Sequence, residues 1–456
     1  MEPASKPFHL GPGLRRDERR FEMNGPTPPL ALINARLVDP ESGYDGPGGV
    51  IVSEGVISDV AKGREFGKLS KDVRVIDCGG AMLAPGLIDL RVKTGEPGAE
   101  TKETLASAAK AAAAGGVTSF VVQPDTDPAV DDPSVVDFIL RRSRDIDAAR
   151  ILCAGAATKG LRGEQMAEIG LMREAGCVYV TDADKPIVDS KVMSRILTYA
   201  RGFDTLLAHR PLDPWLAKGG AAIGGEFAGR MGLPSISPMA ERIMLERDVA
   251  LLEATGGRLL VDQITSAQAL ETLARAKAKG LRIHASVSIN HLSFNELDIG
   301  DYRSFAKVTP PLRGEDDRQA LIEALASGLI DIVVSAHAPA PAEDKRLPYD
   351  EAAPGAVGLE TLLPALLTLF HEERLPLVDL IRAVTLAPAA LIGLQSGRLA
   401  PGAPADLVLC DLDAPLIIDA GKLLSKSKNS PFDGRRLQGQ VLMTIVDGRV
   451  VHRAEG

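Results

Sequence analysis

The chain has 456 residues, 45% hydrophobic and 25% charged, the make-up of a soluble globular protein with room for a barrel-sized core. Its net charge of -9 opposes nucleic acid or an anionic membrane surface as a partner, since both need a basic face. Cys78, Cys153, Cys177 and Cys410 stand far apart with no C-x-x-C pair, so neither a zinc knuckle nor a disulfide framework is indicated, and a reducing, cytoplasmic setting fits.

Residues 1–29 contain no apolar core of signal-peptide length, and they read as a disordered or extended tail rather than a partner-binding arm, despite Arg15, Arg16, Arg19 and Arg20. Met23 is an alternative start. No later run reaches membrane-spanning length. Residues 30–83 read as short strands broken by turn residues (ALINARLVDP, GGVIVSEGVISDVAKG, VRVIDCGG), the first part of a β domain. From residue 84 to 394, strand-like runs such as TSFVVQP, ARILCAGA, DTLLAHR, RLLVDQI and DIVVSAH alternate with Ala-rich helical stretches. Strand and helix alternating over so long a span predict a parallel sheet closed into a (β/α)8 TIM-type barrel, and no G-x-G-x-x-G follows a strand to support an open sheet. Residues 395–456 return to short strands and turns (GRLAPGAPADLVLCDLD, GQVLMTIVDGRVVHR), the second part of a β-sandwich domain formed by both chain ends.

Barrel enzymes carry chemistry at the C-terminal ends of their strands, so the text around each strand end matters most. The run PGLIDLRVKTGEPG, residues 85–98, resembles the first barrel strand of dihydroorotases, members of the cyclic amidohydrolase superfamily. The segments TKETLASAAKAAAAGGVTSFVVQPDTDP, ATKG, DPWLAKGG, KVTPPLR, EDDRQALIEALASGLIDIVVSAHAP, AVGLETLLPALL and SKSKNSPFDG resemble the same family in the same order, from Leu30 to His452. The resemblance implies interconversion of carbamoyl aspartate and dihydroorotate by hydroxide on bound zinc, whose ligands are imidazoles and carboxylates.

Against that pattern the site reads as dismantled. Where the family has H-x-H, two ligands at i and i+2 pointing into one mouth, this chain has Arg91 and Lys93, which offer no free lone pair near neutral pH. The sixth-strand histidine is replaced by Gln263 and the eighth-strand aspartate, both ligand and base in the family, by Ala336. Asp182 and His209 align with the surviving fourth- and fifth-strand ligands, and two ligands do not make a zinc site. The family's substrate-carboxylate arginine aligns with Gly95, the asparagine of its P-N-T motif with Asp125, and the second histidine of its D-H-A-P-H text with Ala340. No metal cofactor is therefore expected.

The surviving polar groups have structural readings. Asp182 is expected to pair with Arg91 or Lys93 as an internal plug, and His209 and His337 to be hydrogen-bonded structural histidines. His284 and His291 are read as packing or vestigial loop contacts. Lys159 reaches a mouth anion or solvent, and Lys426 and Lys428 support the contact between barrel and β domain. The resemblance implies two functions: a non-catalytic structural or regulatory partner of aspartate carbamoyltransferase in an oligomer, or an amidohydrolase that works without metal through Asp182, His209 and the new cations.

Overall fold

The structure, a computed structural model, describes residues 28–454, so the tail expected at residues 1–29 lies almost wholly outside the described residues. The chain opens with five strands, β1 (Leu30–Asp39), β2 (Tyr44–Ser53), β3 (Val56–Lys62), β4 (Arg74–Asp77) and β5 (Met82–Pro85). The next group runs from β6 (Leu87–Val92) and β7 (Val117–Val122) through β8 (Arg150–Cys153), β9 (Gly155–Ala156) and β10 (Val180–Thr181) to β11 (Leu207–His209). A short parallel pair, β12 (Ala222–Ile223) and β13 (Ser235–Ile236), interrupts it before β14 (Leu259–Val261), β15 (Ile283–Ser288) and β16 (Ile332–Val334). The chain closes with β17 (Leu407–Ile417), β18 (Arg436–Val446) and β19 (Arg449–Arg453).

The middle group is the (β/α)8 barrel. Parallel pairing runs β6-β7-β8 and β9-β10-β11-β14-β15-β16, with β8 and β9 parts of one strand interrupted at Ala154, and a parallel bridge from Val92 to His337 closes the ring. All residues of β6 and β7 are buried, which suits parallel strands covered on both faces. Side chains alternate between two cores. Ile88, Leu90, Val121, Leu152, Leu206, Ala208, Leu260 and Val334 fill the barrel interior, whereas Val92, Val122, Leu207, Leu259 and Val261 pack outward against the helices.

Local chemistry explains the first strand-to-helix unit. Thr104 and Ser107 form a reciprocal capping box at the start of the helix Leu105–Ala114, and Ala-rich text continues it until Gly115. A Cβ on Gly115 would lie 2.0 Å from the carbonyl oxygen of Leu359, so only glycine allows the last helical connection to approach this closely.

The terminal strands join into a single eight-stranded sheet of order β19-β18-β17-β5-β1-β2-β3, with β4 beside β1. Both chain ends contribute to one core, with Leu32, Val50 and Ile57 meeting Leu407, Met443 and Ile445. Arg150 at the start of β8 ties this sheet to the barrel through Asp406 (2.6 Å) and Asp447 (2.7 Å).

Candidate functional site

The barrel mouth is built by the residues just past the strand ends. On β6 a register shift between Asp89 and Val92 lets the Arg91 amide donate to the Asp89 carboxylate at 3.0 Å. Strict alternation would send Leu90 and Arg91 to opposite faces; the irregularity turns Arg91 inward with Leu90, and Lys93 follows on the same side. Burial pushes the Asp89 carboxyl up to about 6, against the pull of its Ser335 and Arg91 hydrogen bonds.

Six charges meet there. Arg91 pairs with Asp262 (2.5 Å) and Asp184, Lys93 with Asp125 (2.6 Å) and Asp184 (2.5 Å), and Arg210 with Asp184 (2.9 Å). Once its amide is oriented by its neighbours, Gln263 accepts from Arg91 Nε and Arg210 Nη2. A neutral layer lies beneath: Arg91 donates to Gln123 at 3.2 Å, Gln123 donates to the Tyr179 hydroxyl at 2.8 Å, and Tyr179 donates to the Leu90 carbonyl. Burial disfavours the charged form of Asp184, but Arg210, Lys93 and Arg91 together hold its carboxyl well below the usual carboxylate range.

One expectation needs correction, and one aligned ligand position faces elsewhere. Asp182 pairs with neither cation: its carboxylate accepts from the Thr158 amide (2.9 Å) and the Thr158 hydroxyl, and burial raises its pKa. The plug carboxylate is Asp184, two residues on, beyond a turn in which Ala183 has φ 53°. His209 does not face the mouth either. It shares the outward parity of Leu207, its Nδ1 meets Asp248 at 2.6 Å, and its Nε2 accepts from the Ile187 amide at 2.8 Å. The fifth-strand residue that does face the mouth is Arg210. Sequence reasoning passed over it, although alternation through Leu206 and Ala208 marks its parity.

The other candidates are dispersed. His337 lines the mouth, accepts from the Gly358 amide at 3.2 Å and has Nε2 3.5 Å from Glu103. His291 is buried against the carbonyls of Pro310 and Pro311, whereas His284 pairs with Asp331 near the start of β15. Lys159 lies 3.6 Å from Glu168. Ala336 lines the mouth with φ 52°, and Ala340 is buried beneath Asn429, its amide donating to the Asn429 side chain at 3.1 Å. Gly95 sits in a turn so tight that a Cβ would lie 1.7 Å from the Ala99 carbonyl oxygen.

The donor set does not suit a divalent ion. A guanidinium and an ammonium stand at its centre, each engaged by carboxylates, and among the described residues no group of three or more His, Cys, Asp or Glu side chains is placed to hold a metal. The space left at the mouth amounts to about 20 Å³ for water centres, room for roughly one water molecule.

Known proteins share this architecture. A dihydro-orotase-like family model matches residues 80–269 and an amidohydrolase family model residues 217–451. The dihydroorotase of Anaeromyxobacter dehalogenans (strain 2CP-1) is 39% identical over 428 residues, covering 93% of this chain and 98% of that protein. The chain belongs to the dihydroorotase-like family of amidohydrolases. This dihydroorotase homologue is also 38% identical to the dihydroorotase of Anaplasma phagocytophilum over 93% of its length and 96% of that protein's. Among solved structures, L-hydantoinase (dihydropyrimidinase) from Arthrobacter aurescens superposes with a TM-score of 0.82 at 25% identity, covering 94% of this chain and 96% of its own. Dihydropyrimidinase from Brevibacillus agri superposes at 0.80 with 20% identity, over 93% of this chain and 95% of its own, which shows the shared fold.

Proposed function

We propose that this dihydroorotase homologue has lost catalysis and serves as a structural or regulatory partner of aspartate carbamoyltransferase in pyrimidine biosynthesis. The observation that carries this reading is the ion cluster in the barrel mouth. Opening a cyclic amide at neutral pH needs an activated hydroxide, and metal coordination is the family's way to supply it. Arg91 and Lys93 are instead engaged with Asp184, Asp262 and Asp125, Ala336 presents a methyl group where a base is needed, and the remaining space takes about one water molecule. A barrel that keeps its packing while its mouth is filled keeps fold and surface, the properties a partner subunit uses. The carbamoyltransferase is the partner that the family resemblance implies.

An active amidohydrolase with a rearranged, metal-free site is the second reading. It is favoured by relatives of 39% identity over 93% of the chain that carry the name dihydroorotase. One experiment separates the two. The purified chain is assayed for interconversion of carbamoyl aspartate and dihydroorotate, then mixed with the carbamoyltransferase of its own source and passed over a sizing column. Turnover below background with co-elution and altered carbamoyltransferase activity supports the partner reading; turnover by the chain alone overturns it.

A further inference from the structure

Three cations converge on one carboxylate. Arg91 and Arg210 both reach Oδ1 of Asp184, the latter at 2.9 Å, and Lys93 reaches Oδ2 at 2.5 Å. The other two carboxylates serve one cation each, Asp262 backing Arg91 and Asp125 backing Lys93. Asp184 therefore occupies the place a bound ligand takes: it is the shared acceptor in front of the cations, 31% exposed, while the Arg91 and Arg210 side chains are 4% and 2% exposed. It reaches in from the turn after β10, held there by the Lys185 amide donating to the Asp182 carbonyl at 3.0 Å and by the left-handed Ala183. Beside it Arg210 keeps Nε buried without a hydrogen-bond partner among the described residues, as do Asn290 at Oδ1 and His291 at Nδ1, and all three residues line the mouth.

We propose that Arg91, Lys93 and Arg210 form a binding site for a small carboxylate, and that the chain fills this site with its own Asp184. Two guanidiniums on one carboxylate oxygen and an ammonium on the other give charge-assisted contacts to both ends of one small planar anion. The three cations stand at other positions than the family's substrate-carboxylate residues, which align with Gly95 and with Asp125, here the partner of Lys93, and the inference stands whether or not the chain turns over substrate. Its consequence is autoinhibitory: with Asp184 in place no external carboxylate enters, and with its carboxylate removed the three cations become a receptor for one of the same size.

Chemical rescue tests this. Asp184→Ala removes a volume close to that of formate and leaves three cations facing each other, so its melting temperature at pH 7 should fall by roughly 5 °C or more, as for a broken buried ion pair in a large domain. Sodium formate should restore most of that loss saturably, in the millimolar range. Sodium chloride at equal ionic strength should not, and the unmodified chain should respond to neither salt. Asp184→Asn, which loses the charge but keeps the volume, should be destabilised and not rescued. If Asp184→Ala is insoluble, recovery of monodisperse protein on refolding in formate against chloride is the same readout. Equal recovery in both salts, no recovery in either, or an Asp184→Ala variant as stable as the parent overturns the proposal.

Discussion

Ala183, Gln263 and Ala336 hold φ values of 53°, 60° and 52° at three strand ends around the mouth, a region that costs a non-glycine residue about 1–2 kcal/mol. Glycine relieves that strain but adds unfolded-state freedom worth about 0.4–1 kcal/mol, so the two effects nearly cancel. Ala336→Gly should accordingly be as stable as the parent or up to about 1 kcal/mol more stable in urea unfolding, whereas Ala336→Val should lose stability, because branching at Cβ worsens the left-handed conformation. The opposite order would remove strain from the account. Gly95 behaves differently, since the Ala99 carbonyl lies 1.7 Å from any added Cβ. Gly95→Arg should lower the melting temperature without creating affinity for dihydroorotate, measured by calorimetric titration. His291 has a pH dependence of its own. Burial pushes its pKa down to about 4, so between pH 6.5 and 4 the unfolded chain takes up a proton that the folded chain refuses, and the contribution of this residue to stability falls as pH falls through that window, opposed below pH 6 by Asp89, whose raised carboxyl takes up its proton in the folded chain first. An imidazole NMR signal from His291 that titrates near 6.5 would contradict this. Arg91 and Lys93 were legible in the sequence because the resemblance anchors β6. Asp184 was not, because its approach depends on a left-handed alanine that residue type alone disfavours.

At the scale of elements, the run SKSKNSPFDG acts as a clasp between the C-terminal segment and the barrel rim. Both lysines were expected to support that contact, but only Lys426 reaches across, its ammonium on the Glu100 carbonyl at 2.7 Å, whereas Lys428 turns back onto the Ser425 carbonyl of its own loop at 2.7 Å. The buried contacts come from neighbours the sequence reading did not single out. Ser425 donates to Glu103, and its amide donates to Glu360 at 3.0 Å. Asn429 donates to the carbonyls of Ala338 and Gly355, both at 3.0 Å, and accepts from the Ala340 amide at 3.1 Å. Asn429→Ala strands two buried backbone groups and one part-buried one, at about 1–3 kcal/mol each where water does not reach them. Hydrogen exchange at the Ala340 amide should then accelerate by at least tenfold, a change of about 1.4 kcal/mol, while the distant amides of β2 exchange as before. Exchange unchanged at Ala340 would show that the clasp does not hold the rim. The alternation of strands and helices, and the return of β text at the C-terminus, were legible because burial on both faces imposes continuous apolar runs on barrel strands. Which loop closes over which strand end was not, since such contacts join residues far apart in sequence.

For the whole molecule, one expected outcome concerns metal. Elemental analysis of the purified chain should find zinc well below one equivalent per chain, because three cations occupy the ground a divalent ion would need. Near-stoichiometric zinc in the purified chain would be the contrary result. The cluster also constrains how a metal site could be introduced here. Arg91, Lys93 and Arg210 are matched by Asp125, Asp184 and Asp262, so the mouth is formally neutral as it stands. Returning any one position to a metal-binding residue breaks that match before a metal site exists: Arg91→His leaves Asp262 without its cation, and Lys93→His leaves Asp125 without one. Because contacting charges couple by about 0.5–3 kcal/mol, each single reversion sits in a valley between two stable arrangements. On the proposed reading the ion pairs work as a ratchet: mutual dependence, rather than any one substituted ligand, would block the way to metal chemistry.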